Sequence, residues 1–286
     1  MDKSVFDEIL RENVKDALGL DLFGYLCGNL YPNHYNNCSF ANFTLQMMNN
    51  YPKHYEKYNL GKGSELKPQG TKPPKMASVA SSSRFCYLAL RNGAMALGGS
   101  GDVDFEHSCP VFGIRGTPPQ MDAYIKNENI FVEVKCHEIF DFHKIKLSSQ
   151  YYDLLFGDSS DFDFHYKPAD AKKEFEIPRS EFGLKKDQTM VDVKQLICHL
   201  LGIKFHKKDV PATLVYLFFR PKAQTEKQRK ELDDVFNDLK TELETIFKSV
   251  PIKSFVTKND IKLSAIVQYS EVMSPLTVEN MIQLFP

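Results

Sequence analysis

The chain has 286 residues, and 42% of them are apolar, which is enough to bury the core of one large or two small globular domains. Its 36 basic and 37 acidic residues give a net charge of −1, so the total charge by itself indicates no polyanionic partner. With 26% charged and 12% aromatic residues, the chain is too apolar to be disordered throughout.

The N-terminus, the apolar runs and the cysteines predict a cytoplasmic protein. Acidic residues follow the first Met where a signal peptide needs basic residues and an apolar stretch, so export is not expected. The longest apolar run, residues 212–219, is far shorter than the ~20 residues that span a bilayer, so no membrane association is expected. The six cysteines show no C-x-x-C spacing, which favours free thiols in a reducing cytoplasm.

The N-terminal part of the chain is predicted to be helical. Apolar residues at helical spacing predict a helix over residues 4–18, and a second helical stretch covers residues 39–58 with a break at Pro52. Gly, Lys and Pro are frequent over residues 61–74, which makes this loop the best candidate for a domain boundary. Three serines then offer N-caps for a helix over residues 81–91.

Short β-like runs follow over residues 103–112, 121–126 and 130–136, and their spacing is typical of a meander. After a polar and acidic stretch, a helix is predicted over residues 190–201, where Gly202 would end it. A fully apolar run at 213–219 predicts a strand in the middle of a sheet. The middle of the chain therefore has the predicted order α, β, β, β, α, β.

The C-terminal part is predicted to hold a long charged helix over residues 222–248 and a last strand over residues 264–272. Together these elements predict a helical segment with a basic linker at 1–74, a core at 75–222, and a helix and strand extension packed on that core at 223–286.

Two acids and a lysine are predicted to meet on one face of the meander. Asp122 lies in the second β run, and alternation along the third run puts Glu133 and Lys135 on the same face. If the hairpin turns around Glu128 and Asn129 with a two- or four-residue loop, paired positions sum to 257. Asp122 would then lie opposite Lys135 and diagonal to Glu133, whereas a three-residue loop would break this parity.

This combination of side chains suits metal-dependent hydrolysis of a phosphodiester. Carboxylate oxygens suit Mg²⁺ or Mn²⁺, which activates water and neutralises charge on the phosphate. A nearby lysine can orient the attacking water, help to deprotonate it, or balance the acids. Of six acid-x-Lys triplets in the chain, only Glu133-x-Lys135 lies in an apolar β run that follows a second acid at hairpin distance. A surface salt bridge across the hairpin is the alternative interpretation.

Residues 105–138 resemble the PD-(D/E)XK nuclease superfamily, the restriction-endonuclease-like fold. In that family an αβββαβ core carries an Asp on the second strand and (D/E)-x-K on the third. Here Pro118, Pro119 and Asp122 stand for the first half of the motif and Glu133 and Lys135 for the second. The two prolines come three and four residues before the Asp rather than next to it.

More particularly, the segment is similar to a group of bacterial restriction-endonuclease-like proteins. The resemblance extends over residues 76–138, continues weakly over 195–220, and says little about residues 1–60 or the C-terminal extension. The positions that fit the group's pattern are Phe105, Glu106, Pro110, Gly116, Pro118, Pro119, Asp122, Glu133, Lys135 and Glu138.

The resemblance implies an α/β (α+β) fold in which helices flank a central mixed sheet. It also implies a site in which Asp122 and Glu133 bind Mg²⁺ or Mn²⁺, the carbonyl of Val134 is a third ligand, and Lys135 is the catalytic lysine. Glu106 would supply a further acid. It reaches the site only if its side of the strand is the one that bears Glu133, and otherwise it is a solvent-facing acid.

The implied activity is that of a DNA endonuclease with a role in restriction-modification or defence. A homodimer and a cognate methyltransferase are the protein partners that such a role implies. The alternative is a catalytically silent member of the fold that binds nucleic acid or a protein, and the fold leaves RNA or branched DNA open as the substrate.

Two further groups of residues were candidates for the site. Gln195 and His199 are four residues apart on the predicted helix and would reach the site from above, unless they lie on a plain exposed face. His107, Cys109, Cys136 and His137 have zinc-binding side chains, but their spacings match no zinc module, so no zinc site is predicted.

The near-zero net charge hides two segments of opposite sign. Residues 51–92 hold eight basic and two acidic residues, whereas residues 101–141 hold three basic and eight acidic ones. A basic arm with interleaved tyrosines beside an acidic centre is what a nuclease needs, although a solvated lysine-rich loop is the simpler alternative. The predicted nucleic-acid contacts are Lys72, Lys75, Arg84, Arg115 and Gln195.

Overall fold

The computed structural model describes residues 1–18, 37–61, 63, 65–91, 97, 102–111, 117–141, 143–148, 151, 174–185, 189–207, 210–269 and 281–285. Its helices are α1 (Lys3–Leu18), α2 (Asn37–Asn50), α3 (Pro52–Leu60), α4 (Ser82–Leu90), α5 (Val193–His206), α6 (Glu226–Lys248) and α7 (Val250–Lys258). Its strands are β1 (Val103–Ser108), β2 (Gln120–Ile125), β3 (Ile130–Lys135), β4 (Lys146–Ser148), β5 (Glu174–Glu176), β6 (Ala212–Arg220), β7 (Ile261–Tyr269) and β8 (Met281–Phe285).

A six-stranded mixed sheet in the order β1-β2-β3-β6-β7-β8 forms the centre of the fold. The first three strands are an antiparallel meander, and β6 then pairs in parallel with β3. β7 is parallel to β6, and β8 is antiparallel to β7. The predicted meander and the predicted inner strand are therefore confirmed, and the protein is an α+β structure with helices flanking a mixed sheet.

Helices α4 and α5 lie on opposite faces of this sheet. Phe85 of α4 packs against Phe219 of β6, with ring centroids 4.8 Å apart. The next residue along β6, Phe218, is level with Lys135 of β3 and points the other way, toward the face that α5 covers. The polar face that the sequence predicts for β3 is therefore the face beneath α5.

The N-terminal helix α1 is bound to the core by polar contacts. Asn13 donates from its amide to the carbonyl of Lys222 at 2.9 Å and accepts from the Lys222 N–H at 2.6 Å. Asp7 contacts the Nδ1 atom of His137 at 2.8 Å. The division of the chain at residues 74 and 222 stays a prediction, but α1 and β7 both contact the core directly.

Four of the predicted free cysteines have free thiols, namely Cys86, Cys109, Cys136 and Cys198. Cys27 and the side chain of Cys38 lie outside the part of the chain that the structure describes. Among the helices that the structure describes, none is long and apolar enough to cross a bilayer.

The prediction that Gly202 ends a helix is wrong, because α5 continues through it to His206. A Cβ atom at Gly202 would lie 2.9 Å from the Cβ of Cys109 and 3.0 Å from its carbonyl oxygen. The glycine therefore permits a close approach between α5 and the end of β1 rather than a turn.

Replacing Gly202 with alanine should lower the free energy of unfolding by about 1–3 kcal/mol, because the added methyl group overlaps backbone that cannot move freely. This loss outweighs the roughly 1 kcal/mol that alanine gains in a helix interior. Urea unfolding of the full chain measures the difference, with Lys194→Ala in the same helix as the control. Equal or higher stability of the Gly202→Ala protein would contradict the proposed close contact.

Candidate functional site

The hairpin between β2 and β3 turns one position earlier than the sequence predicts. Ile125 pairs with Ile130, so the loop consists of residues 126–129 and paired positions sum to 255 rather than 257. Asn129 accounts for the difference because its backbone has a left-handed φ of 54°, which ends the turn. Its amide also donates to the carbonyl of Pro211 at 2.7 Å, which ties the turn to the start of β6.

Continued by one position beyond the pair of Ala123 and Val132, the observed register brings Asp122 level with Glu133, whereas the predicted register puts it opposite Lys135. The N–H of Val134 donates to the Oδ2 atom of Asp122 at 2.6 Å, which holds the carboxylate over β3. The two acids and the lysine therefore share one face of the sheet, as predicted. The cross-strand neighbour of Asp122 on that face is Glu133 rather than Lys135.

Glu133 is the centre of a hydrogen-bonded cluster on this face. Its Oε1 atom accepts from the ammonium of Lys135 at 2.6 Å and from the amide nitrogen of Gln195 at 2.8 Å. The Lys135 ammonium also donates to the amide oxygen of Gln195 at 2.7 Å, which closes a three-membered ring of contacts. Glu133 is only 3% exposed, so this ring holds a buried charge pair in one arrangement.

Helix α5 brings Gln195 and His199 to this cluster, which is one of the two arrangements that their spacing leaves open. Asp192 caps the helix by accepting the N–H of Gln195 at 2.9 Å, so the first turn begins directly above β3. One turn later, the Nε2 atom of His199 lies 3.7 Å from the Oε2 atom of Glu133. The alternative of a plain exposed helix face is therefore wrong, because His199 is 2% exposed.

The charges of the cluster shift the pKa values of its members. Burial raises the pKa of Asp122 well above its usual value, and the charges of Glu133 and Glu106 raise it further. Burial lowers the pKa of Lys135, but the charge and hydrogen bond of Glu133 outweigh this effect, so the net shift is upward. Burial also lowers the pKa of His199, which favours a neutral imidazole.

Glu106 interrupts the regular alternation of β1. Its φ of 51° is left-handed, which is rare and strained for a residue other than glycine. Phe105 before it packs against Tyr58 of α3, whereas His107 after it packs against Phe131 beneath α5. The sequence predicts that Glu106 reaches the site only if its side of a regular strand is the one that bears Glu133. Because the strand does not alternate regularly at Glu106, this condition cannot be applied.

The electrostatic environment of Glu106 connects it to the same acids. Its neighbours Phe105 and His107 pair with Ala123 and Met121, which puts Glu106 level with Asp122 between them. Burial raises the pKa of Glu106 to about 7, with repulsion from Glu65 and Glu133 adding to the shift and the charge of Lys75 reducing it. Glu106 is therefore part of an acidic group that also includes Asp122 and Glu133.

Glu65 is a member of this acidic group that the sequence did not reveal. It is 3% exposed, and its Oε1 atom accepts from the ammonium of Lys75 at 3.2 Å. Its Oε2 atom is buried without a hydrogen-bond partner. Glu65 belongs to an acid-x-Lys triplet in a polar loop, and no pattern distinguishes it there from a solvated charge.

The raised pKa of Glu106 predicts that the free energy of unfolding of the metal-free protein decreases as the pH rises. Ionising Glu106 in the fold is harder than in the unfolded chain, so stability is lost as the pH rises from about 4.5 toward 7. With a discount for partial exposure, Glu106→Gln should be more stable than the wild type by about 1–2 kcal/mol at pH 8 and no different below pH 4.5. Urea unfolding in a chelator at both pH values measures this, and a pH-independent difference would refute it.

The predicted nucleic-acid contacts do not all lie at the surface. Lys72 is exposed, whereas Lys75 is exposed but bound to Glu65. The prediction for Arg84 is wrong because it is 2% exposed, donates to the carbonyl of Met76 at 3.1 Å and lies over an aromatic ring. Arg115 lies outside the described residues, and Gln195 is held by Glu133 and Lys135.

The rest of the predicted basic arm is also partly neutralised. Lys57 lies 3.0 Å from Asp104, and Tyr58 is buried with its hydroxyl group directed at the carbonyl of Ser83. Lys53 and Lys67 remain exposed. The surface is therefore less basic than the count over residues 51–92 indicates.

A small cleft opens beside Lys135 at the C-terminal end of β3. Its volume is about 90 Å³, and its lining includes Lys135, Glu138, Asp192, Gln195 and Tyr216. The hydroxyl group of Tyr216, level with Glu133 on the neighbouring strand, is buried without a hydrogen-bond partner. The cleft gives a small polar group access to the lysine from the solvent side.

The acids offer the oxygen ligands that Mg²⁺ or Mn²⁺ requires, and their mutual repulsion is what a bound cation would relieve. The residues thus fit such an ion chemically, although within the described ranges no three of these acids have oxygen atoms within 4.8 Å of one another. Glu138, one of the positions that fit the family pattern, accepts the N–H of Cys136 at 2.6 Å, directly after β3 ends.

The chain matches no protein-family model, no curated protein and no solved structure. Its function must therefore be inferred from the arrangement of its own residues.

Proposed function

We propose that the protein is a divalent-metal-dependent endonuclease that hydrolyses DNA phosphodiester bonds and belongs to the PD-(D/E)XK, restriction-endonuclease-like nucleases. The observation that carries this proposal is the ring formed by Glu133, Lys135 and Gln195, with Asp122 level with Glu133 on the adjacent strand. An acid on the second strand and E-x-K on the third, all on one face, is the arrangement that the family resemblance implies.

The order of elements supports the same class. α4, β1, β2, β3, α5 and β6 follow one another along the chain, with the short strands β4 and β5 among the described elements between β3 and α5, and these four longer strands β1, β2, β3 and β6 are adjacent in the sheet. This is the αβββαβ order that the sequence resemblance implies, and α4 and α5 cover opposite faces. Fold alone does not define an activity, so the side chains on the α5 face carry the functional argument.

In this proposal Asp122, Glu133 and the carbonyl of Val134 bind the metal ion, and Glu106 contributes further negative charge. A bound Mg²⁺ or Mn²⁺ supplies a more acidic water and neutralises charge on the phosphate. The hydrogen bond from Val134 fixes one oxygen of Asp122, which orients the carboxylate. The fold holds these carboxylates near one another although they repel, so the ligands are in place before any cation binds.

Lys135 acts in this proposal as a fixed positive charge. Two of its ammonium N–H donors are directed at Glu133 and Gln195, which leaves one for a phosphate oxygen or the attacking water. Gln195 positions the ammonium, since it bridges Lys135 and Glu133. The close carboxylate favours this electrostatic role over removal of a proton from water by a neutral amine.

DNA is the proposed substrate, with a role in restriction-modification or defence beside a cognate methyltransferase. The exposed lysines Lys53, Lys67 and Lys72 are available for phosphate contacts, whereas Arg84 is not. A homodimer would place one such site at each strand of a duplex, so a homodimer is the proposed active form.

A catalytically silent module that binds nucleic acid or a protein is the second candidate. Two observations favour it. The Oε1 atom of Glu133 is already bound by Lys135 and Gln195, and in the described part of the chain no three acids have oxygen atoms close enough to share one metal ion. Such a module needs no divalent cation at the acids.

The direct test is cleavage of plasmid and linear DNA by the full chain in Mg²⁺ or Mn²⁺, beside Lys135→Ala and a control, Lys126→Ala, in the exposed hairpin loop. We expect cleavage by the wild type and by Lys126→Ala, and a rate at least 100-fold lower for Lys135→Ala. Equal cleavage by all three proteins would overturn the assigned site. No cleavage of DNA, RNA or branched DNA by the wild type would favour the binding module.

A further inference from the structure

We propose that His107, Cys109 and His206 form a zinc site that joins the end of β1 to the end of α5. One ligand atom from each of the three side chains lies within 4.8 Å of the other two. His107 lies in β1, Cys109 directly follows that strand, and His206 ends a helix 97 positions later in the chain, so no local spacing could have revealed the group.

The backbone brings the three side chains together from two directions. His107 and Cys109 are two residues apart where β1 ends, and their ligand atoms lie within 4.8 Å of each other. Gly202 permits the close approach of α5 to Cys109, and His206 follows one turn later, with its ring centroid 4.7 Å from that of His107. Without that close approach, His206 would lie too far from the thiol.

The hydrogen bonding of His107 leaves one ring nitrogen for a metal ion. Its Nδ1 atom contacts the Oδ2 atom of Asp104 at 2.7 Å, and the other oxygen of Asp104 is paired with Lys57 at 3.0 Å. If Nδ1 carries the proton, the lone pair of Nε2 is free. That Nε2 atom is buried without a hydrogen-bond partner. This arrangement costs free energy unless a metal ion accepts the lone pair.

An imidazole that donates to a carboxylate from one nitrogen and binds a metal from the other is a recurrent feature of zinc sites. Here Asp104 has the position of that carboxylate.

The donor set selects the kind of metal. Two imidazole nitrogens and a thiolate suit Zn²⁺, whereas Mg²⁺ and Ca²⁺ prefer oxygen ligands. Cys109 is fully buried and is one of the free thiols, while His206 is only partly buried. A water molecule can therefore complete a four-coordinate site from the solvent side. Binding releases the thiol proton, so zinc affinity should increase with pH.

The position of this site indicates a structural role. α5 carries Gln195 and His199 to Glu133, and β1 carries Glu106 to the same acidic group. A zinc ion between the ends of α5 and β1 would fix these two elements relative to each other. The inference does not depend on nuclease activity, because its ligands lie outside the Asp122 and Glu133 cluster.

The test uses the full chain, stripped of metal with a chelator and titrated with Co²⁺ as a spectroscopic probe. We expect the d–d bands of four-coordinate Co²⁺ together with a thiolate-to-cobalt charge-transfer band, and loss of both when Zn²⁺ but not Mg²⁺ is added. Cys109→Ser should lose the charge-transfer band, and the matched control Cys198→Ser should keep it. The absence of a thiolate band in the wild type, or its persistence in Cys109→Ser, would overturn the proposal.

Two further variants keep the test decisive if Cys109→Ser does not fold. His206→Gln changes a partly exposed residue at a helix end and should still fold, with Co²⁺ bound at least 10-fold more weakly. Asp104→Asn should weaken Co²⁺ binding by about 10- to 100-fold, since it removes the charge of the carboxylate behind His107, which also pairs with Lys57, and leaves all three metal ligands in place. Unchanged Co²⁺ affinity in both folded variants would show that the three residues do not form a metal site.

Discussion

Replacing Glu133 with glutamine is expected to abolish DNA cleavage and to lower the free energy of unfolding by about 2–3 kcal/mol. The ammonium of Lys135 lies 2.6 Å from Glu133 with its side chain 16% exposed, so the substitution leaves a buried charge without its counter-ion. Relief of the repulsion between Glu133 and Asp122 offsets part of this cost, which places the expected loss at the low end for a broken buried pair. Urea unfolding of the metal-free protein at pH 7 measures it.

A double variant separates the lost pair from other effects of the substitution. Adding Lys135→Met to Glu133→Gln removes the orphaned charge, so the double variant should regain most of the wild-type stability while staying inactive. Additive losses from the two single variants would contradict the inference that Glu133 and Lys135 form a coupled buried pair. Far-UV circular dichroism verifies that each protein is folded.

Replacing Asp122 with asparagine should have opposite effects on stability and activity. Because the pKa of Asp122 is raised in the fold, its charge costs stability at neutral pH, and the neutral amide removes that cost. Asparagine can still accept the N–H of Val134, so the metal-free protein should gain about 1 kcal/mol or more at pH 8. Cleavage should be lost because the metal site loses a charged ligand.

The stability difference between Asp122→Asn and the wild type should depend on pH. A carboxyl group whose pKa is raised in the fold reduces stability above its unfolded pKa and has no effect below it. The gain of Asp122→Asn should therefore be largest at pH 8 and vanish near pH 3.8. Asp234→Asn, at an exposed position of α6, is the control and should show no such trend. A loss of stability at pH 8 would refute the raised pKa.

The sequence predicts the centre of the sheet well because apolar patterning depends on burial alone. The run over β6 is apolar because the strand lies fourth in a six-stranded sheet with both faces covered. The face shared by Asp122, Glu133 and Lys135 follows from alternation within β2 and β3. A shift of the turn by one position changed the partner of Asp122 but not its face, because it moved the pair sum by two.

Other parts of the site depend on geometry that patterning does not contain. The left-handed backbone of Asn129 sets the register, and that of Glu106 sends Phe105 and His107 to different layers. A glycine at position 202 predicts a helix end, but its role in the structure is to let α5 pack closely against Cys109. Glu65 and His206 join their clusters only through long-range packing, which local sequence does not encode.

The burial of Arg84 is a further example. A basic residue in a basic segment predicts a phosphate contact. The residues around Arg84 in α4 are buried, however, and its guanidinium group donates to the carbonyl of Met76 and lies over the ring of Phe43. Charge counts along the chain therefore overestimate the charge available to DNA, because they include buried and paired residues.

The central claim is that the acids beneath α5 hold a divalent cation. Titration of the metal-free full chain with Mn²⁺, followed by electron paramagnetic resonance, tests it most directly. Saturable binding is predicted for the wild type, for Asp234→Asn and for Cys109→Ser, with at least a 10-fold loss of affinity in folded Asp122→Asn. Absence of saturable binding in the wild type, or equal affinity in Asp122→Asn, would contradict the account.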